Sequence, residues 1–130
     1  MLKSLIIVLL IISLAFAVGC QASGPSAASL AYNEITANEL LSWMEDGKEF
    51  RLIDVREEYE YNEAHIPGAQ LLPLGQLADN YTLLDKEDVI VLVCRSARRS
   101  GEAAAFLSEQ GYTQVYNLLG GMLEWYGPVN

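Results

Sequence analysis

The segment Asp88-Val89-Ile90-Val91-Leu92-Val93-Cys94 sets the strongest limit on what this chain can fold into. Its apolar side chains run without a break, so the strand they form has no face to offer water. Such a strand belongs in the middle of a sheet covered on both sides. Phe50-Arg51-Leu52-Ile53-Asp54-Val55 repeats the theme, with apolar residues on both parities. Sheets of this kind are parallel, because the return crossings place helices over both faces.

The rest of the chain supplies the crossings. Ile35-Thr36 reads as a short strand end, and Thr36-Ala37-Asn38-Glu39 has the capping-box pattern ahead of a helix that runs to about Asp46 and stops at Gly47. Glu57 to Asn62 reads as a short helix, Ala69 to Leu72 as a short strand, and Leu74 to Asn80 as a helical turn or two. Ser100 to Gln110 is helix-forming and ends at Gly111; Val115 to Leu118 is a last strand and Met122 to Tyr126 a closing helix. Strands and helices alternate. The expected fold is α/β, a single domain with an open parallel sheet of about five strands and helices on both faces, whose ligands bind beyond the carboxyl ends of the strands.

The 130 residues allow one domain once an apolar start is set aside. Lys3 precedes an apolar run from Leu5 to Val18, the order of an export signal. The run is shorter than the about 20 residues of a comfortable membrane span. Ala17-Val18-Gly19-Cys20 resembles a bacterial lipobox, with Ala17 where Leu is usual, which implies that Cys20 is lipidated and becomes the new N-terminus. A retained anchor and plain cleavage near Ala17 are the alternatives. Gln21 to Ala31 is rich in Ser, Ala, Gly and Pro and reads as a leash. The expected organisation is therefore a signal over 1–19, a linker over 20–31 and a folded domain over 32–130. The expected location is the bacterial cell envelope, in the periplasm or at the cell surface, with membrane attachment through N-terminal lipid.

A formal net charge of −9 argues against nucleic acid as a partner. Positive charge is instead gathered at one point: Arg95, Arg98 and Arg99 follow Cys94 within five residues. With Cys20 consumed by processing, Cys94 is a free thiol and not half of a disulfide. There is no internal repeat, no glycine-rich nucleotide loop and no cluster of His, Cys and Asp at metal-ligand spacing, so neither a metal nor a cofactor is expected.

Cys94-Arg95-Ser96-Ala97-Arg98-Arg99-Ser100 joins the end of the central strand to the start of a helix. Unpaired amides and the helix dipole stabilise an anion at such a place. A thiolate is an anion, and neighbouring arginines populate it further, so Cys94 is the expected nucleophile. A buried inert cysteine is the alternative. Asp54 and Arg56, at the end of another central strand, are expected to reach the same rim and hold the loop by hydrogen bonds or an ion pair, with a purely structural pair as the alternative. His65, the only histidine, reads as a loop-fixing residue, and Trp43 and Trp125 as core aromatics.

Four pieces in order resemble the rhodanese family: Leu52-Ile53-Asp54-Val55-Arg56 with the acids that follow, Ala64-His65-Ile66-Pro67-Gly68-Ala69, the loop from Cys94 to Ser100, and Gly120-Gly121-Met122-Leu123-Glu124-Trp125. The resemblance covers nearly all of Tyr32 to Tyr126. It implies that Cys94 takes sulfur from a small anionic donor such as thiosulfate, holds it as a persulfide, and passes it to a thiol or cyanide. It further implies that the backbone amides of Arg95, Ser96, Ala97, Arg98 and Arg99 cradle the sulfur, that Arg95 and Arg98 attract the donor, and that Arg99 braces the loop. Many relatives carry glycine where this chain has Ala97; if that position needs positive φ, alanine costs about 1 to 2 kcal/mol.

Two other readings share the fold. The cell-cycle dual-specificity phosphatases and related arsenate reductases place one more residue between cysteine and arginine than the four found here. A non-catalytic or redox-sensing module would keep Cys94 for oxidation instead.

Overall fold

The computed structural model of the chain describes residues 31–130. The expected signal, the lipidation site Cys20 and almost all of the leash lie outside the described residues.

Five strands form one sheet: β1 (Asn33–Ile35), β2 (Arg51–Asp54), β3 (Gln70–Leu71), β4 (Ile90–Val93) and β5 (Val115–Leu118). Their order across the sheet is β1-β5-β4-β2-β3, and every pair is parallel. The helices are α1 (Ala37–Glu45), α2 (Glu58–Glu63), α3 (Leu74–Asn80), α4 (Arg98–Glu109) and α5 (Gly121–Glu124), with a 3-10 turn at Tyr81–Leu83. Thr36 caps α1 through the expected box: its Oγ1 accepts from the Glu39 amide at 3.2 Å while Glu39 accepts from the Thr36 amide at 2.8 Å.

The central strand is buried along its whole length because it serves two cores. Ile90 and Leu92 pack on one face with Leu77 of α3 and with Ala103, Ala104 and Leu107 of α4. Val91 and Val93 pack on the other with Leu40 of α1, Ile66 and Leu118, flanked by Trp43, Met122 and Trp125. Cys94 continues the parity of Ile90 and Leu92, so it leaves the sheet on the α4 side.

Most differences from the sequence reading are at element ends. The strands are shorter than their apolar runs, since Phe50, Val55 and Val89 flank the ladder. Helix α4 begins at Arg98, two residues earlier than Ser100, because Ala97 makes a left-handed turn that lets the helix start at once. Helix α5 stops at Glu124, since Trp125 turns extended and donates its Nε1 hydrogen to the Pro128 carbonyl at 3.0 Å.

Candidate active site

The chain leaves β4 at Val93 and reaches α4 in four residues. Cys94 sits at the floor of this turn, 1% exposed. Burial pushes its thiol up, but the Ser100 hydroxyl and the amides of Ser100, Ser96 and Ala97, all directed at the sulfur, outweigh that and bring it below an ordinary thiol. An inert core cysteine has apolar neighbours; this one is ringed by donors. Cys94 and Ser100 are buried, Ala97 and Arg99 half-buried, and Arg95, Ser96 and Arg98 exposed.

Ala97 has φ +77, the only non-glycine residue with positive φ among the described residues. Its carbonyl still accepts from the Gly101 amide at 3.0 Å and from Asn117 Nδ2 at 3.1 Å. The conformation that glycine adopts freely is thus forced on alanine by the geometry of the loop. We expect Ala97→Gly to stabilise the domain by about 1 kcal/mol, measured by urea unfolding.

The arginines divide by task. Arg99 is bound in a fork by Glu60 of α2, Nη1 to Oε2 at 2.7 Å and Nη2 to Oε1 at 2.8 Å, which ties the start of α4 to α2. The Arg99 guanidinium holds the Glu60 carboxyl down at about 2, and in return the Arg99 pKa is raised. Arg98 lies outward, 76% exposed, and pairs with Glu102 one turn along α4. The Arg95 side chain has no ion-pair partner among the described residues. It projects between two open cavities of about 430 and 510 Å³, both also lined by Tyr59 and Glu60. Arg56, Glu63, Met122 and Leu123 complete the first, and Glu57, Ser96, Arg98 and Arg99 the second.

Asp54 and Arg56 form the structural pair that was one of the two sequence expectations. They are buried and close on each other: Arg56 Nε and Nη2 donate to Asp54 Oδ2 at 3.1 and 2.7 Å, and Nη2 also donates to the Ala64 carbonyl at 2.7 Å. The Arg56 amide donates to Asp54 Oδ1 at 3.0 Å. With these bonds made, the pair shapes the segment from 54 to 64 and makes no hydrogen bond to the Cys94 loop. His65 also works locally, stacked on Tyr61 at 3.8 Å with Nδ1–H donating to the Tyr61 carbonyl, while its backbone exchanges two hydrogen bonds with Asn130.

Three supports of the loop were not singled out from sequence. Glu60 braces Arg99. Asn117 of β5 bonds both Ser100 and Ala97. Helix α5 presses its first turn on the loop, the Met122 and Leu123 amides donating to the carbonyls of Cys94 and Arg95 at 2.9 and 3.0 Å. The paired glycines before Met122 were a visible signal of close backbone approach, although the partner was not.

Residues 36–127 match the rhodanese-like domain family. The chain belongs to that family. Among rhodanese-like relatives it is 36% identical over 93 residues to a sulfurtransferase of Allochromatium vinosum, covering 72% of this chain and 87% of that one. To thiosulfate sulfurtransferase GlpE of Shewanella oneidensis it is 32% identical over 96 residues, covering 74% and 94%. The crystal structure of a rhodanese-like domain protein from Staphylococcus aureus superposes with a TM-score of 0.68 at 30% identity, covering 72% of this chain and 90% of that one. Other relatives are longer: the chain spans 58% of the Bacillus subtilis protein YrkF.

Proposed function

We propose that the chain is a sulfurtransferase in which Cys94 carries sulfane sulfur as a persulfide, with thiosulfate as a competent donor and a thiol or cyanide as acceptor. The observation that carries this reading is the set of donors aimed at the Cys94 sulfur, at the end of the central strand and in the same loop as Arg95, Ser96, Arg98 and Arg99, which with Glu57 and Glu60 line an adjacent opening. The names of the sulfurtransferase relatives support it.

In the first half-reaction the Cys94 thiolate attacks the outer sulfur of thiosulfate. A bond forms between the two sulfurs, the bond from outer sulfur to the sulfonate sulfur breaks, and its electron pair departs with sulfite. The negative charge now rests on the terminal sulfur of the persulfide, where the loop amides from Arg95 to Arg99 receive it. In the second half-reaction an acceptor thiolate or cyanide attacks that terminal sulfur and Cys94 leaves as thiolate. Arg95 attracts the anionic donor; Arg98 helps, because its exposed pair with Glu102 is weak, at about 0.3–0.5 kcal/mol, and easily exchanged. Arg99 is committed to Glu60 through both terminal nitrogens and so offers no free fork to a phosphoryl group, which favours sulfur over phosphorus chemistry. Incubation with thiosulfate followed by peptide mass spectrometry should find one added sulfur atom on Cys94. A persulfide elsewhere, or none, overturns the mechanism.

We further propose that the domain is an envelope lipoprotein attached through Cys20, on the order of basic residue, apolar run, small residues, cysteine and leash. Cys20→Ser should abolish incorporation of labelled fatty acid; labelling that persists in this variant contradicts the attachment site.

A further inference from the structure

Ser100 has one hydroxyl proton and faces two acceptors. Its Oγ lies 2.6 Å from Asn117 Oδ1 and 3.3 Å from Cys94 Sγ, and all three side chains are buried. The orientation of the Asn117 amide is fixed by its other contact. Nδ2 donates at 3.1 Å to the Ala97 carbonyl, an atom that can only accept. Oδ1 is therefore the atom that meets Ser100, and it too can only accept. With its proton on the sulfur, Ser100 supports the lowered Cys94 thiol described above; with its proton on Asn117, it turns a lone pair to the sulfur instead. That arrangement suits a Cys94 S–H, which donates to Oγ, and opposes a bare thiolate.

Ionisation changes the demand. The S–H bond breaks, the proton leaves to solvent and the electron pair stays on sulfur. For the Ser100 hydroxyl to help the thiolate it must leave Asn117, stranding a buried oxygen without a donor, which carries a free-energy cost.

We propose that Asn117 is a positioning residue that acts through Ser100: by competing for the hydroxyl proton it restrains ionisation of Cys94 and makes the thiolate a stronger nucleophile and a poorer leaving group. This rests on the persulfide reading for its use in the reaction. Once sulfur is loaded, the inner sulfur of Cys94 has neither proton nor charge and asks for no donor, so the hydroxyl returns to Asn117. The network thereby favours the loaded state over the bare thiolate. A thiolate held at higher basicity also attacks a donor sulfur faster, molecule for molecule.

The charged group facing Cys94 is Arg99 of α4, itself held by Glu60 of α2. From β5 comes the uncharged Asn117, from α5 the Met122 amide to the Cys94 carbonyl, and from the end of β2 the mutually closed pair Asp54–Arg56. None of these side chains donates a hydrogen bond to the Cys94 sulfur; Ser100 is the side chain that does.

The test is the pH profile of Cys94 alkylation by iodoacetamide in the full chain, read at the Cys94 peptide by mass spectrometry. Asn117→Ala should move the midpoint to lower pH, so that below it Cys94 reacts about three- to tenfold faster, the value of one hydrogen bond in thiolate population. The limiting rate at high pH should fall. In a Ser100→Ala background the same substitution should move the midpoint little, because the shared proton is gone. Asn117→Leu, which keeps the volume and removes both polar atoms, carries the same expectations if the alanine variant does not fold. A midpoint that stays or rises in either variant, or an equal shift with and without Ser100, overturns the proposal. The assay needs no sulfur donor, so its failure is distinguishable from failure of the sulfur-transfer reading.

Discussion

Cys94→Ser should abolish the proposed transfer of sulfur from thiosulfate to cyanide while leaving the circular dichroism spectrum unchanged. The substitution nearly keeps the size of the side chain at the first loop residue after β4, so the sheet has no reason to move. It removes the one atom that can be both an anion near neutral pH and a partner in a sulfur–sulfur bond. The amides of Ser96, Ala97 and Ser100 still surround the site, but they stabilise charge that a serine hydroxyl does not develop. We expect the rate to fall by a factor of roughly 10⁴ or more, to the uncatalysed level, the loss seen when a covalent nucleophile is deleted. Steady-state formation of thiocyanate measures it. A variant that retains the parent rate removes Cys94 from the mechanism.

Gly121→Ala is the second large effect, and it reaches the site through backbone alone. Gly121 has φ +53, and a Cβ built on it would lie 2.6 Å from the Arg95 carbonyl and closer still to the Cys94 oxygen. Those are the carbonyls that accept from the Met122 and Leu123 amides. Neither side can yield, since one is the loop that carries the nucleophile and the other the turn that locks it. Strain and displacement together should cost about 3 kcal/mol or more, which lowers the melting temperature of a domain this size by roughly 12 °C or more. Sulfur transfer should fall in the folded fraction too, as the Cys94 and Arg95 carbonyls are pushed aside. Gly75→Ala is the control: that glycine is helical, has open space around it and should tolerate the change with no loss of stability. Equal melting temperatures for Gly121→Ala and the parent contradict the close packing of α5 on the loop.

What the sequence disclosed about fold and site follows the range of each interaction. Helix Leu74–Asn80 and strand Val115–Leu118 were legible to the residue, and the Thr36–Glu39 cap was read in full, because local pattern and short-range bonds decide them. The continuous apolar run of β4 announced a strand with two covered faces, and two cores indeed meet on it. Cys94 and its loop could be placed because they stand at the seam between strand and helix. The Glu60–Arg99 brace spans 39 positions and the Asn117–Ala97 bond 20, and no local pattern marks either. For Asp54 and Arg56 position alone left two readings, a hold on the loop or a pair closed on itself; two residues apart, they satisfy each other.

The parallel pairing of Asn33–Ile35 with Tyr116–Leu118 has a consequence for the birth of the protein. Among the described residues the first strand waits for the last as its ladder partner, so this edge cannot close until the chain has been synthesised past Leu118. Before then the nascent chain lacks β5, and with it the strand that joins β1 to β4.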